Sequence, residues 1–273
     1  MKKLVYASLA FLSVFTLAAC SGHKEEAKVP EVKVEQKQAK FDEKLFKEAG
    51  ILPFKSEKQL ELGELDSKNR ATGAHIQLKD SDEPTDKRET KLTYDPVGWH
   101  NYKFFYGDGK KEAWLMSRGH LIGYQFSGLN DEKRNLVPMT NWLNAGNYSG
   151  TDDQNQSGML YYENRLDSWL ANHPNYYLDY KVTPIYQKDE LIPRQIELKY
   201  VGIDENGKLL EIKLGGSKEK VDQYSVTHVI LDNVSANAEI NYLDGTAKNT
   251  VEDAKIKEEK EKAKKEAEEK AKK

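Results

Sequence analysis

Ser117-Arg118-Gly119-His120-Leu121-Ile122-Gly123-Tyr124 is the stretch on which the reading of this chain turns. The apolar run Trp114 to Met116 reads as a short strand that leads straight into Ser117–His120. His120 brings an imidazole, which titrates near working pH and can take a proton from water. Arg118 brings a planar guanidinium that can clamp a phosphate by two parallel hydrogen bonds. Taken singly, each has a plainer use. A histidine in a glycine-containing turn serves as a structural hydrogen-bonding group, and an arginine as a surface ion-pair partner.

Working outward, the partners of this segment decide between those uses. Hydrolysis of a phosphodiester needs a base for the water, positive charge on the phosphoryl oxygens and stabilisation of the leaving oxygen. Downstream runs Asn135-Leu136-Val137-Pro138-Met139-Thr140-Asn141-Trp142-Leu143-Asn144. A hard divalent cation takes oxygen ligands and keeps several waters, and an asparagine carbonyl can supply one such oxygen. Spacing alone does not choose among Asn135, Asn141, Asn144 and Asn147. Glu163 falls in the clearest helical pattern of the chain, 157–173, where Met159, Tyr162, Leu166 and Leu170 recur at near-helical spacing before Pro174. A lone helical glutamate is ordinarily a solvated side chain, but this one can hold the water of a bound metal.

The ordered set of Ser117–Tyr124, Asn135, Asn144 and Tyr161-Tyr162-Glu163 resembles the DNA/RNA non-specific endonucleases of the ββα-metal superfamily. The likeness is greatest to secreted and DNA-entry nucleases of Gram-positive cocci and spans roughly residues 65–246. The resemblance implies an α+β fold: a mixed, mainly antiparallel sheet with flanking helices and a ββα-metal motif at the catalytic centre. It implies His120 as general base, Asn144 as the direct protein ligand of Mg²⁺ (with Mn²⁺ as the alternative ion), and Glu163 acting on the metal through water. Arg118 would stabilise the phosphoryl charge and Asn135 would orient the site by hydrogen bonding. The products would carry 5′-phosphates. Arg70 is a candidate second phosphate contact. Three departures stand out. Ser117 occupies a position where the family has aspartate, and Met139 one where a glutamine is common. The Asn144–Glu163 interval is also lengthened around 148–158, a polar loop that would sit over the substrate.

The rest of the 273 residues sets the frame. Lys2 and Lys3 precede an apolar run, 4–19, too short for a comfortable membrane span and read as an export signal. It ends Leu17-Ala18-Ala19-Cys20, which resembles a bacterial lipobox, so Cys20 is the expected lipidation site and the anchor to the outer face of the cell membrane. Cys20 is the only cysteine, which excludes disulfides, thiolate metal sites and a cysteine nucleophile from the folded part. The expected organisation is a signal at 1–19, a flexible tether with a short helix at 20–58, the endonuclease domain at 59–246 and a Lys/Glu-rich tail at 247–273. Strands are expected near 75–78, 91–94, 102–106, 176–186, 195–203, 208–214 and 225–232.

The chain carries 42 basic and 45 acidic residues, and its central part, 61–246, is acidic at net −8. A nucleic-acid binder is expected to be basic, so any positive potential must be local. No helix-turn-helix or zinc-finger pattern is present to read a base sequence, which fits a sequence-blind enzyme. DNA and RNA are the expected substrates, and no stable protein partner is implied. Two other readings are a surface DNA-binding receptor with a weak site, and a non-enzymatic surface lipoprotein. Gel retardation without cleavage would mark the first, and loss of attachment on deleting 251–273 the second.

Overall fold

The computed structural model describes residues 42–89 and 91–271. The export signal, Cys20 and the first part of the tether lie outside the described residues. In chain order the elements are α1 (Glu43–Ala49), β1 (Gln59–Leu62), β2 (Ala74–Leu78), β3 (Lys103–Tyr106), β4 (Lys111–Trp114), β5 (Met116–His120) and α2 (Tyr124–Ser127). They continue with β6 (Leu136–Thr140), α3 (Asn141–Ala145), α4 (Met159–Asn172), β7 (Tyr177–Ile185), β8 (Gln195–Ile203), β9 (Leu209–Leu210) and β10 (Lys220–Val221). The last are β11 (Thr227–Asp232), β12 (Ala238–Ile240), β13 (Ala247–Asn249) and α5 (Ala254–Ala271).

The main sheet runs β1-β2-β7-β8-β11-β10, with β9 on β8. Its two long central strands show how the sequence builds two cores from one sheet. Successive strand residues face opposite sides. In β8, Ile196, Leu198 and Tyr200 join the principal core with Tyr162, Leu166 and Leu170 of α4. The alternate residues Val201 and Ile203 meet Phe46 of α1 on the other face. The fold class is the expected α+β, and every pairing in the main sheet is antiparallel.

The short helix expected in the tether is therefore a packed element. Phe46 is buried against Tyr177, Val201, Ile203 and Val226. Buried Asp179 accepts the Leu52 backbone N–H at 3.1 Å, the Gln77 amide at 3.0 Å and His75 Nε2–H at 2.6 Å, which ties residues 51–53 to β2 and β7. At the other end, β13 pairs with β12, so the ordered domain continues past residue 246. The Lys/Glu segment beyond it is helical and exposed, as expected of a solvated helix. Among the described residues, no helix is long and apolar enough to cross a membrane.

Segment 91–94, expected as a strand, pairs with no strand. The carboxylate of Asp131 takes its amides instead: Thr93 N–H at 2.7 Å and Tyr94 N–H at 3.0 Å, with the Thr93 hydroxyl also bound. The run 208–214 is paired only at β9. The chain through Trp114 and Ser117 is extended as expected, but it changes partner midway. Leu115 N–H still donates to Tyr102 O at 2.9 Å, whereas Met116 already faces Thr140 of β6. The tetrapeptide Ser117–His120 thus lies inside strand β5, and β5, β6 and α3 form a ββα unit.

Candidate active site

The period of two along β5 sorts its residues. Arg118 and His120 look into a cleft of about 160 Å³ that Arg88, Asn144 and Glu163 also line. Gly119 faces the other way, where a Cβ would fall 2.4 Å from Met139 Sδ, so glycine lets the two strands close over the core. Ser117 shares that face, across from Met139 in the β5–β6 register. Its hydroxyl donates to Asn141 Oδ1 at the start of α3. Neither of the two substitutions in the family pattern therefore touches the imidazole: Ser117 joins β5 to α3, and Met139 is core.

His120 is buried, with its ring fixed from behind. Nε2–H donates to Asn130 O at 2.8 Å, which leaves the Nδ1 lone pair toward the cleft. Arg88 Nη2 reaches that nitrogen at 3.4 Å, a long and weak contact. Burial holds the imidazole below its ordinary range, and Arg88 acts in the same direction. The Asn130 carbonyl and the Asp131 carboxylate favour the charged ring. The free site thus carries a neutral histidine that can receive a proton.

Asn135 is fully buried and does not line the cleft. Its Oδ1 accepts Ile122 N–H at 3.0 Å and its Nδ2 donates to Ile122 O at 2.9 Å. The side chain thus holds, like a strand partner, the backbone just beyond His120. Arg118 is held by Asp95 Oδ1 at 2.7 Å from Nε and 2.5 Å from Nη2, and lies over Trp99 at 4.7 Å. Asp131 pins Thr93 and Tyr94, and so brings Asp95 to this place.

Across the cleft, α3 presents Asn144. Thr140 caps the helix by accepting Leu143 N–H at 3.0 Å, and Gly146, in the left-handed region at φ 77°, ends it. The Asn144 amide makes no hydrogen bond among the described residues, so its carbonyl oxygen is available. Glu163 projects from α4 and is buried. Its carboxylate accepts the Gly123 backbone N–H and a hydrogen bond from Gln125. Burial nevertheless pushes its pKa up to about 7, with Arg88 the one cation acting against that. A Cβ on Gly123 would fall 2.8 Å from Glu163 Oε1, so the carboxylate needs glycine there.

These donors suit one kind of ion. No cluster of three or more His, Cys, Asp or Glu able to hold a metal exists among the described residues. A free amide oxygen with a buried, under-neutralised carboxylate beside it fits a hard cation that keeps most of its water.

Of the candidates read from the sequence, His120, Arg118, Asn144 and Glu163 meet in this cleft, and Asn135 stands behind it. Arg70 is not among the residues lining it. Its guanidinium is taken up by Asp66 at 2.6 Å, by the carbonyls of Lys188 and Glu190 and by the ring of Tyr186, which makes it a structural cross-link. Arg88, Asp95 and Gln125 were missed. Arg88 sits in Asp86-Lys87-Arg88-Glu89, a mixed-charge run that looks like any solvated loop.

A profile of the DNA/RNA non-specific endonucleases matches residues 54–202. The chain belongs to that family. Among solved structures, an extracellular nuclease is 52% identical with a TM-score of 0.61, covering 73% of this chain and 98% of its own. An extracellular endonuclease is 55% identical with a TM-score of 0.60, covering 72% and 89%. NucA from Streptococcus agalactiae, solved with a magnesium ion bound, shares the fold at 19% identity, with a TM-score of 0.54 and coverage of 73% and 83%. No curated protein matches. The endonuclease is thus a nuclease of the hydrolase class.

Proposed function

We propose that this endonuclease hydrolyses DNA and RNA without sequence preference in a Mg²⁺-dependent reaction, with His120 as general base and 5′-phosphate products. The observation that carries the reading is the orientation of His120. With Nε2–H committed to Asn130 O, the one basic nitrogen, Nδ1, faces the cleft opposite Asn144 and Glu163.

The chain's own groups supply the steps. The attacking water displaces Arg88 from its long contact with Nδ1 and gives its proton to that nitrogen. The imidazolium so formed keeps its bond to Asn130 O and is favoured by the nearby Asp131 carboxylate. Arg118 exchanges one of its bonds to the single oxygen Asp95 Oδ1 for a phosphoryl oxygen. Asn144 Oδ1 would be the direct protein ligand for the metal, and Glu163 would bind within its hydration shell. A bound Mg²⁺ supplies Lewis-acid stabilisation of phosphoryl and leaving-oxygen charge. Asn135 keeps the β5 end in register so that His120 points correctly.

The test is cleavage of plasmid and RNA by the purified chain, with and without EDTA, beside His120→Ala. Cutting should stop in EDTA, and the substitution should lower the rate by about 10²–10⁴, the usual share of a general base. Persistent cutting in EDTA would sink the metal dependence. A loss below about tenfold would sink the assignment of the base. We also propose export and lipid attachment at Cys20, supported by the lipobox-like Leu17-Ala18-Ala19-Cys20. Labelling of the chain by a fatty acid should vanish in Cys20→Ser, and retention of the label would refute it.

A further inference from the structure

Trp114 is the one aromatic side chain among the exposed large apolar residues described, at 51% exposure. It lies at the end of β4, directly opposite Lys103 of β3, and the Lys103 ammonium stands 5.4 Å from the centre of the indole ring. Lys103 makes no ion pair among the described residues, and its face of the hairpin also carries Phe105 and Glu112. The half-exposed indole and the ammonium beside it thus present a π-face and a positive charge side by side at the surface.

The position of Trp114 is fixed relative to the cleft. Its carbonyl accepts the Asn141 side-chain amide at 2.5 Å, and the Leu115 carbonyl accepts the Asn141 backbone N–H at 2.9 Å. The same asparagine accepts the Ser117 hydroxyl and opens α3, the helix of Asn144. One residue therefore locks the Trp114 backbone to both walls of the site. Covalent reach sets the scale: the Arg118 and Trp114 Cα atoms are at most about 14 Å apart along an extended chain.

We infer that Trp114 and Lys103 form a nucleotide subsite outside the catalytic cleft, where the indole stacks on an unpaired base of the bound strand and the ammonium pairs with an adjacent phosphate. The inference rests on the nuclease reading above and names the substrate form it favours. Every base offers a π-face, so stacking holds a strand without reading its sequence. A base within a duplex is already stacked on both sides and cannot take the indole. The subsite therefore selects single strands. It also places positive charge locally on a domain that is acidic between residues 61 and 246.

The experiment compares oligothymidylates of increasing length with a duplex, for wild type, Trp114→Ala, Trp114→Phe and Lys103→Gln. Trp114→Ala should raise KM about tenfold on long single strands, with kcat unchanged. It should leave a dinucleotide and the duplex unaffected, and Trp114→Phe should keep most of the affinity. Lys103→Gln should reduce the slope of log KM against log salt by about 0.7 on single strands. An equal effect on all substrates, or none on long strands, would overturn the inference. If the wild type cuts nothing, it is the nuclease reading that fails. Strand binding in EDTA, followed by fluorescence anisotropy, then decides this one: weaker binding by Trp114→Ala upholds it, and equal binding overturns it.

Discussion

Asn135 and Asn144 are nine residues apart, of one type, and on the same ββα unit, yet the structure gives them separable roles. Asn135→Leu keeps the volume and removes both bonds to Ile122, at 3.0 and 2.9 Å, in a place with no exposure to water. The Ile122 N–H and C=O would each be left buried without a partner, at about 1–3 kcal/mol apiece. The expected loss is about 2–6 kcal/mol, a large part of the roughly 5–15 kcal/mol that holds a typical domain. Asn144→Ala removes a half-buried amide that bonds to nothing, so its effect on stability should stay within about 0.5 kcal/mol. Activity should behave in the opposite sense. Asn144→Ala should lose cleavage while folded, and the metal concentration for half-maximal rate should rise. Asn135→Leu should show its main effect in urea unfolding, as a lower midpoint at unchanged slope. The reasoning fails if Asn144→Ala is as destabilising as Asn135→Leu. It also fails if Asn135→Leu unfolds within about 0.5 kcal/mol of wild type.

Three further outcomes follow from the same geometry. Burial holds His120 below its ordinary 6.5, so the acid limb of kcat/KM against pH at saturating metal should lie below 6.5, and a limb above it would refute the neutral-histidine account. As pH falls through 6.5 the unfolded chain binds this proton before the folded one does, so stability is lost from there down through the depressed folded value. Gly123→Ala would drive a Cβ to within 2.8 Å of Glu163 Oε1 and 2.6 Å of Gln125 Oε1, and the displaced carboxylate should lower cleavage by about 10²-fold, read from initial rates on plasmid.

What the sequence made legible, and what it hid, divides along physical lines. That His120, Asn144 and Glu163 would share one cleft was legible only from the order of the whole set and its family resemblance, since neither an asparagine nor a helical glutamate declares such a role by itself. The alternating strands β7 and β8 were readable because burial has a period of two. Segment 91–94 was not, because the group that claims its amides, Asp131, lies 38 residues from Thr93 and looks like any surface aspartate. The partners of Arg70 and Arg88 were hidden for the same reason. A guanidinium in a sequence does not say which carboxylate or ring will hold it, and Asp66 and Tyr186 hold Arg70 where an open cleft leaves Arg88 free to reach His120. The substitution at Ser117 is the sharpest case. As a string it removes an acid three residues from the base, whose charge would raise the basicity of a neighbouring imidazole. As a strand it lies on the face opposite His120, bonded to Asn141, so the charge it lacks was never aimed at the imidazole from this backbone. What acts on the basicity of His120 is instead its own burial, the Asn130 carbonyl and Arg88, contacts that only the folded chain brings within reach.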